Sequence, residues 1–371
     1  MSVTLDVAKH LSAHVFGVPR RTSGRREGVL NLSSNELLHS ECERFWRAFL
    51  QEAQPSWLSS YPLYEAATLA ASRELETIPE RTLLTAGSDD AIRLVAEALM
   101  TTTGRAILGV PTYEGWEHHA AIRRVDTIRV DLGSSPLPSA RTRGPTENRL
   151  DALIEVALRA SPSVVVLASP TVGVGAPYTH DELARLSHAA ARAGHLLVID
   201  ECYWPFAGLG AGRAPDAPHV VVVRSFSKAF GLAGARVAAL SGAVEVVDYL
   251  ARFRPENPVS GLALAAVCRA VESRSFFDGI IDDIVANRTW ISDAVRDASI
   301  GLEPLESSAN FVHFRMASNE QVAALRAALL KVGIRVRDAS NQPSLERTIR
   351  ATIGDLSTTK TLFRALVDHH P

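Results

Sequence analysis

Of the 39 basic residues in this 371-residue chain, only four are lysines: Lys9, Lys228, Lys331 and Lys360. Arginine cannot lose a proton to become an amine nucleophile and cannot form a Schiff base, so a position that needs such chemistry must keep lysine. Lys228 lies in the most suggestive setting. The segment VVVVRSFSKAFGLAGAR (Val220–Arg236) leads from an apolar strand into small hydroxyl residues and glycines, with Arg236 eight residues beyond the lysine. Lys228 suits condensation with a carbonyl, Ser225 and Ser227 suit hydrogen bonds to a phosphate, and Arg236 suits its neutralisation. On its own, the same stretch also reads as a strand end and a flexible turn.

Three further segments carry matching chemistry. In LLVIDECYWPF (Leu196–Phe206) an apolar strand runs into Asp200. A carboxylate at the end of a buried strand is costly unless it is paired, and a protonated pyridine nitrogen is a suitable cation. Tyr203, three residues on, could donate to a phenolic oxygen of the same ring. Alone, Asp200 reads equally as a helix cap or a metal ligand. LLTAGSDDAIRLVAEAL is a strand, a tight Gly87-Ser88 turn and a helix, whose first backbone N–H groups at Gly87, Ser88 and Asp89 form an anion site, or whose Ser88 or Asp89 simply caps the helix. In VPTYEGW, Tyr113 follows a strand end, where it could stack on a flat heterocycle or serve as ordinary core.

These residues need a scaffold that brings several strand ends together. From Thr82 the chain alternates apolar runs with amphipathic segments: TLLTA, a helix from Asp89, AILGV, a helix after Pro111, VDTIRV, a helix near Leu150–Leu158, SVVVLAS, a helix from His180, HLLVID and HVVVVRS. Continuous β-branched runs between helices describe strands buried on both faces, so the expected class is α/β with a large, doubly wound, mostly parallel sheet. The site should lie at the carboxyl ends of those strands. After Arg224 the pattern turns helical, through Ala243–Arg252, Ser260–Ser273 and Asp278–Ala298. A smaller α+β unit follows, with strands near Gly301–Leu305, Ala309–Arg315, Gly333–Arg337 and Thr348–Ile353. The expected division is an N-terminal arm over 1–40, with a short strand and turn in VLNLSSNE, a large unit over 41–255 and a small unit over 256–371.

Composition narrows the partners. A net charge of −2 gives no basic face for nucleic acid, which favours small-molecule chemistry. Cys42, Cys202 and Cys268 lack the spacing of a disulfide framework or a zinc site. The N-terminus lacks the apolar core of a leader and no run is long enough to span a membrane, so a soluble cytoplasmic protein is expected.

Taken in order, AGSDDAI, PTYEGW, IDECYWPF, SFSKAFGLAGAR, ANFVHF and GIRVRDASNQPSLERTIRATIG resemble the fold-type-I aminotransferases dependent on pyridoxal 5′-phosphate (PLP), class I/II, and most of all their histidinol-phosphate aminotransferase branch. The resemblance covers roughly residues 30 to 369. It implies that Lys228 forms the Schiff base and shuttles the proton, and that Asp200 and Tyr203 contact the pyridine ring on which Tyr113 stacks. Gly87, Ser88, Asp89, Ser225, Ser227 and Arg236 would serve the phosphate. Tyr61, in SYPLY, matches a tyrosine that reaches the neighbouring subunit's phosphate, which implies a homodimer. Arg337 and Arg350 match positions that bind the anionic group of the substrate, and Asn35 a position near the substrate.

Two departures stand out. The family's P-N-N-P-T-G reads SPTVGV here, with Thr171 and Val172 where an asparagine would meet the phenolic oxygen. The N-terminal tyrosine that contacts a substrate phosphate is absent from HVFGVPRR. The implied activity is amino transfer from an anionic amino substrate, histidinol-phosphate-like or an amino acid, to a 2-oxo acid. A PLP-dependent lyase, decarboxylase, cyclase or oxidase is the alternative that the missing asparagine raises. Retention of Lys228, Asp200, Tyr203 and Arg236 argues against a non-catalytic relative, and no G-x-G-x-x-G supports a nicotinamide site.

Overall fold

The computed structural model describes residues 11–21, 28–132, 149–172, 177–208 and 211–370. A two-residue strand, β1 (Leu30–Asn31), precedes the large sheet. That sheet has seven strands: β2 (Thr82–Thr85), β3 (Arg105–Val110), β4 (Asp126–Asp131), β5 (Val164–Ala168), β6 (Leu196–Asp200), β7 (Val220–Ser225) and β8 (Ala238–Ser241). Their spatial order is β2-β8-β7-β6-β5-β3-β4, and every neighbouring pair is parallel except those made by β8.

The apolar runs take this form because both faces of the sheet are covered. Along β5, Val164 and Val166 enter one core with Ile92, Leu94 and Trp116, while Val165 and Leu167 enter another with Leu153, Leu183 and Leu186. This is the two-residue alternation of a strand with helices on either side. Helix His180–Arg192 begins with a capping box in which Thr179 and Glu182 each satisfy the other's backbone N–H. Edge strand β4 is more polar, with Asp126 and Arg129 exposed.

The reading of the chain as helical after Arg224 omits one strand. Ala238–Ser241 forms β8, antiparallel between β2 and β7, and AALS lacks the β-branched residues that would have marked it. The expected strand Gly333–Arg337 also divides. After β9 (Glu303–Pro304) and β10 (Phe311–Arg315), β11 (Ile334–Arg335) pairs in parallel with β1, whereas β12 (Arg337–Asp338) joins a four-stranded antiparallel sheet, β12-β13-β10-β9, with β13 (Thr348–Thr352). The N-terminal segment is thus stitched to the C-terminal part, and Ser33–Asn35 are carried toward the strand ends of the large sheet. Among the described residues, no helix is long and apolar enough to cross a membrane.

Candidate active site

The carboxyl ends of β3, β5, β6 and β7 open onto a cavity of about 1240 Å³, ample for a heterocyclic cofactor and a substrate together. Lys228 stands on the short helical turn Phe226–Ala229, which Ser225 caps by accepting the Ser227 N–H at 3.1 Å. Its Nζ donates to the Ser34 carbonyl at 2.9 Å and lies 6.0 Å from the centre of the Tyr203 ring.

Asp200, the last residue of β6, is 6% exposed. Its Oδ1 accepts the Cys202 N–H at 3.1 Å and its Oδ2 accepts Nε1–H of the fully buried Trp116 at 3.0 Å. Burial pushes the Asp200 carboxyl above its ordinary value, while the Cys202 and Trp116 donors pull the other way. A buried acid of this kind, ion-paired to nothing among the described residues, fits a protonated pyridine nitrogen. Beside it, burial and the adjacent Asp200 push the Cys202 thiol well above its usual range. Tyr203 Oη accepts from Asn35 Nδ2 at 2.8 Å, which leaves the tyrosine's own proton to donate elsewhere. Asn35 is itself held. It takes a left-handed φ of 56°, donates its N–H to Thr352 Oγ1 at 3.0 Å, and accepts Asn310 Nδ2 at 3.1 Å on its carbonyl.

The phosphate-like end is built around the start of helix Ser88–Val95. Gly87 has φ 86°, and a Cβ there would lie 2.8 Å from Arg236 Nη2, so only glycine lets that guanidinium approach. The expectation that Gly87 offers its N–H to an anion is corrected: that group donates to the Thr85 carbonyl at 2.8 Å, which leaves Ser88 and Asp89 as the backbone donors. Ser225 likewise sits behind the wall that Ser227 forms. Tyr113 Oη donates to Asp89 Oδ1 at 3.0 Å, and its ring packs so closely over Gly115 that a Cβ there would lie 2.5 Å from Cε1. Burial alone would raise the Asp89 carboxyl, but Arg21, bonded to it at 3.0 Å, holds it below its ordinary value.

At the opposite end, the register sets Arg337 of β12 directly across from Arg350 of β13. Like charges so placed repel, and Glu114 offsets them: both its carboxylate oxygens accept from Arg337 Nη2, at 2.9 and 2.8 Å. Arg350 Nη2 donates to the Ser33 carbonyl at 3.0 Å, and burial lowers its pKa from the ordinary arginine value. Val172, which stands where the resemblance would place an asparagine donor, contributes an apolar wall. Tyr61 is not on the wall of its own chain's cavity and is 88% exposed.

The cavity therefore gathers Lys228, Asp200, Tyr203, Ser88, Asp89, Tyr113, Ser227, Arg236, Asn35, Arg337 and Arg350. Sequence reasoning missed Trp116, Glu114, Ser34 and Arg21. Trp116 and Glu114 lie within the PTYEGW motif, but nothing in its spacing says that the indole turns to Asp200 and the carboxylate to Arg337.

The family model for aminotransferases of class I and II matches residues 27–366. Histidinol-phosphate aminotransferase of Dinoroseobacter shibae is 31% identical over 345 residues, covering 92% of this chain and 90% of that protein. The crystal structure of histidinol-phosphate aminotransferase from Sinorhizobium meliloti in complex with pyridoxal-5′-phosphate shares the fold at a TM-score of 0.81 and 21% identity, with 97% of each chain covered. L-threonine-O-3-phosphate decarboxylase from Porphyromonas gingivalis shares it at a TM-score of 0.73 and 19% identity, over 91% of this chain and 98% of that one. A match that runs through nearly the whole chain, with each of its motifs opening onto one cavity, means that this protein belongs to the aminotransferases of class I and II.

Proposed function

We propose that this protein uses PLP to move an amino group from an anionic amino substrate, an amino acid or a histidinol-phosphate-like compound, to a 2-oxo acid. The observation that carries the reading is the shared cavity: a lysine amine and a buried, doubly anchored aspartate at one end, and two guanidinium groups on adjacent strands at the other. When bound, PLP supplies an electron sink for the substrate's α-carbon. Lys228 Nζ would anchor the cofactor and carry the α-proton. Asp200, fixed by Trp116 and Cys202, would hold a proton on the ring nitrogen. Tyr203, oriented by Asn35, would direct its hydroxyl proton to the phenolic oxygen, and Tyr113 would cover the ring face. The amides of Ser88 and Asp89, the Ser227 hydroxyl and Arg236 would bind the phosphate, with Ser225 steadying the turn beneath. Arg350 and Arg337 would orient the substrate through its anionic group.

A homodimer completes this reading. Leu58, Tyr61 and Leu63 are 77%, 88% and 82% exposed, an apolar cluster suited to burial against a second copy, from which Tyr61 would reach the neighbouring phosphate. Light scattering of the purified protein checks the assembly, and a monomer would rule out that contribution.

The activity is tested by titrating the PLP-loaded protein with amino donors and following conversion of the cofactor's absorbance band to that of its aminated form. Conversion without carbon dioxide release is the expected result; no conversion with any donor would count against transamination. Decarboxylation is the second reading, favoured by Val172 standing where the resemblance would place an asparagine donor to the phenolic oxygen, and carbon dioxide release would identify it.

A further inference from the structure

Arg337 and Arg350 stand side by side, yet they are not equally available. Arg337 is engaged by both oxygens of Glu114. Arg350 pairs with no carboxylate among the described residues; it donates to the Ser33 carbonyl, and its buried Nε makes no hydrogen bond. A third guanidinium, Arg21, is also committed, through Nη1 to Asp89 and through Nη2 to the Tyr113 hydroxyl. A monocarboxylate needs one guanidinium and finds it in Arg350. A phosphate dianion held between both strand arginines has to displace Glu114 and then lie close to the displaced charge.

That cost persists because Glu114 is not on a tether. It immediately precedes helix Gly115–Ile122, between Tyr113 and the anchored Trp116. The ion pair itself is weak, since 46% of the Arg337 side chain and 40% of that of Glu114 are exposed. It is the lasting repulsion, more than the broken bond, that discriminates between one and two negative charges.

Building on the aminotransferase reading above, we infer that Glu114 is a specificity-determining residue. It restricts the site to amino acids, held by their carboxylate on Arg350, and disfavours phosphorylated amino alcohols.

The test uses the PLP-loaded protein and its Glu114→Gln variant, whose altered side chain is partly exposed and places no demand on the core. Phenylpropionate and phenylethyl phosphate, which lack an amine and cannot react, are titrated by calorimetry. Wild type is expected to bind the carboxylate more tightly. The variant should tighten the phosphate roughly ten-fold and the carboxylate by less than about two-fold. A wild-type preference for the phosphate, with Arg20 or Arg335 of the cavity wall as its ligand, would overturn the inference, as would equal changes for both compounds. Since nothing turns over here, failure of the aminotransferase reading would register separately, in the donor titration.

Discussion

The two ends of the cavity are built on different terms. At the ring end, Asp200, Ser225 and Ser227 are 6%, 2% and 5% exposed, and their partners come from strand ends and helix starts that folding itself sets in place. At the substrate end, Arg337 meets Glu114 in partial solvent, across elements far apart in sequence. Buried polar groups are costly to strand, so the ring end has one arrangement; the Arg337–Glu114 bond is weak enough to open, but the carboxylate stays beside whatever replaces it, so the substrate end sorts ligands by charge.

Substitutions can break this contrast or sharpen it. The largest effect is expected for Lys228→Ala, which removes the amine proposed both to anchor the cofactor and to carry the proton. The half-reaction should slow by at least about 10³-fold, read by stopped-flow absorbance, and the cofactor should be lost on dialysis. Asp200→Asn should lower the rate by roughly 10²-fold and weaken PLP binding, measured by equilibrium titration, because the amide cannot hold a charged ring nitrogen. Comparable loss of cofactor affinity from Arg350→Gln would contradict the division of labour. For that variant KM is expected to rise roughly 10- to 100-fold with little change in PLP affinity, the cost of one charge-assisted pair. Arg337→Gln should raise KM for an amino acid by no more than about 3-fold, because Glu114 already offsets that charge.

The last effect is on stability and concerns the helix shared by both ends. Burial, with Arg123 close by, pushes His119 down to about 4. The folded protein keeps it neutral where the unfolded chain, with an ordinary pKa of about 6.5, takes up a proton. Stability contributed this way is lost as pH falls from about 6.5 toward 4. His119→Gln should recover about 1 kcal/mol of that loss near pH 5 once its partial exposure is allowed for, in urea titrations compared with pH 7.

The ring end was also the legible end. Asp200 closes an apolar run and Lys228 follows one by a single short turn, so each is marked by the few residues before it. Even there the atomic detail was hidden: Gly87 contributes space for Arg236, and its N–H is turned to Thr85. The substrate end announced its arginines but not their state. Whether Arg337 is available depends on how a helix start from the large sheet meets a strand from the small one, and no local pattern encodes that approach. Strand β8 escaped for a related reason, since its four residues, none of them β-branched, owe their extended form to β2 and β7 on either side.

The pairing of β1 with β11 bears on how the enzyme comes into being. Residues Ser33 to Asn35, which touch Lys228, Tyr203 and Arg350, are steered into place by a strand whose only sheet partner among the described residues is β11, about 300 residues further along the chain. During synthesis β1 must wait, unpaired, until Ile334 and Arg335 have left the ribosome. A truncated nascent product would thus carry the lysine and the aspartate yet lack a finished pocket around them, and catalytic competence would arrive late in translation.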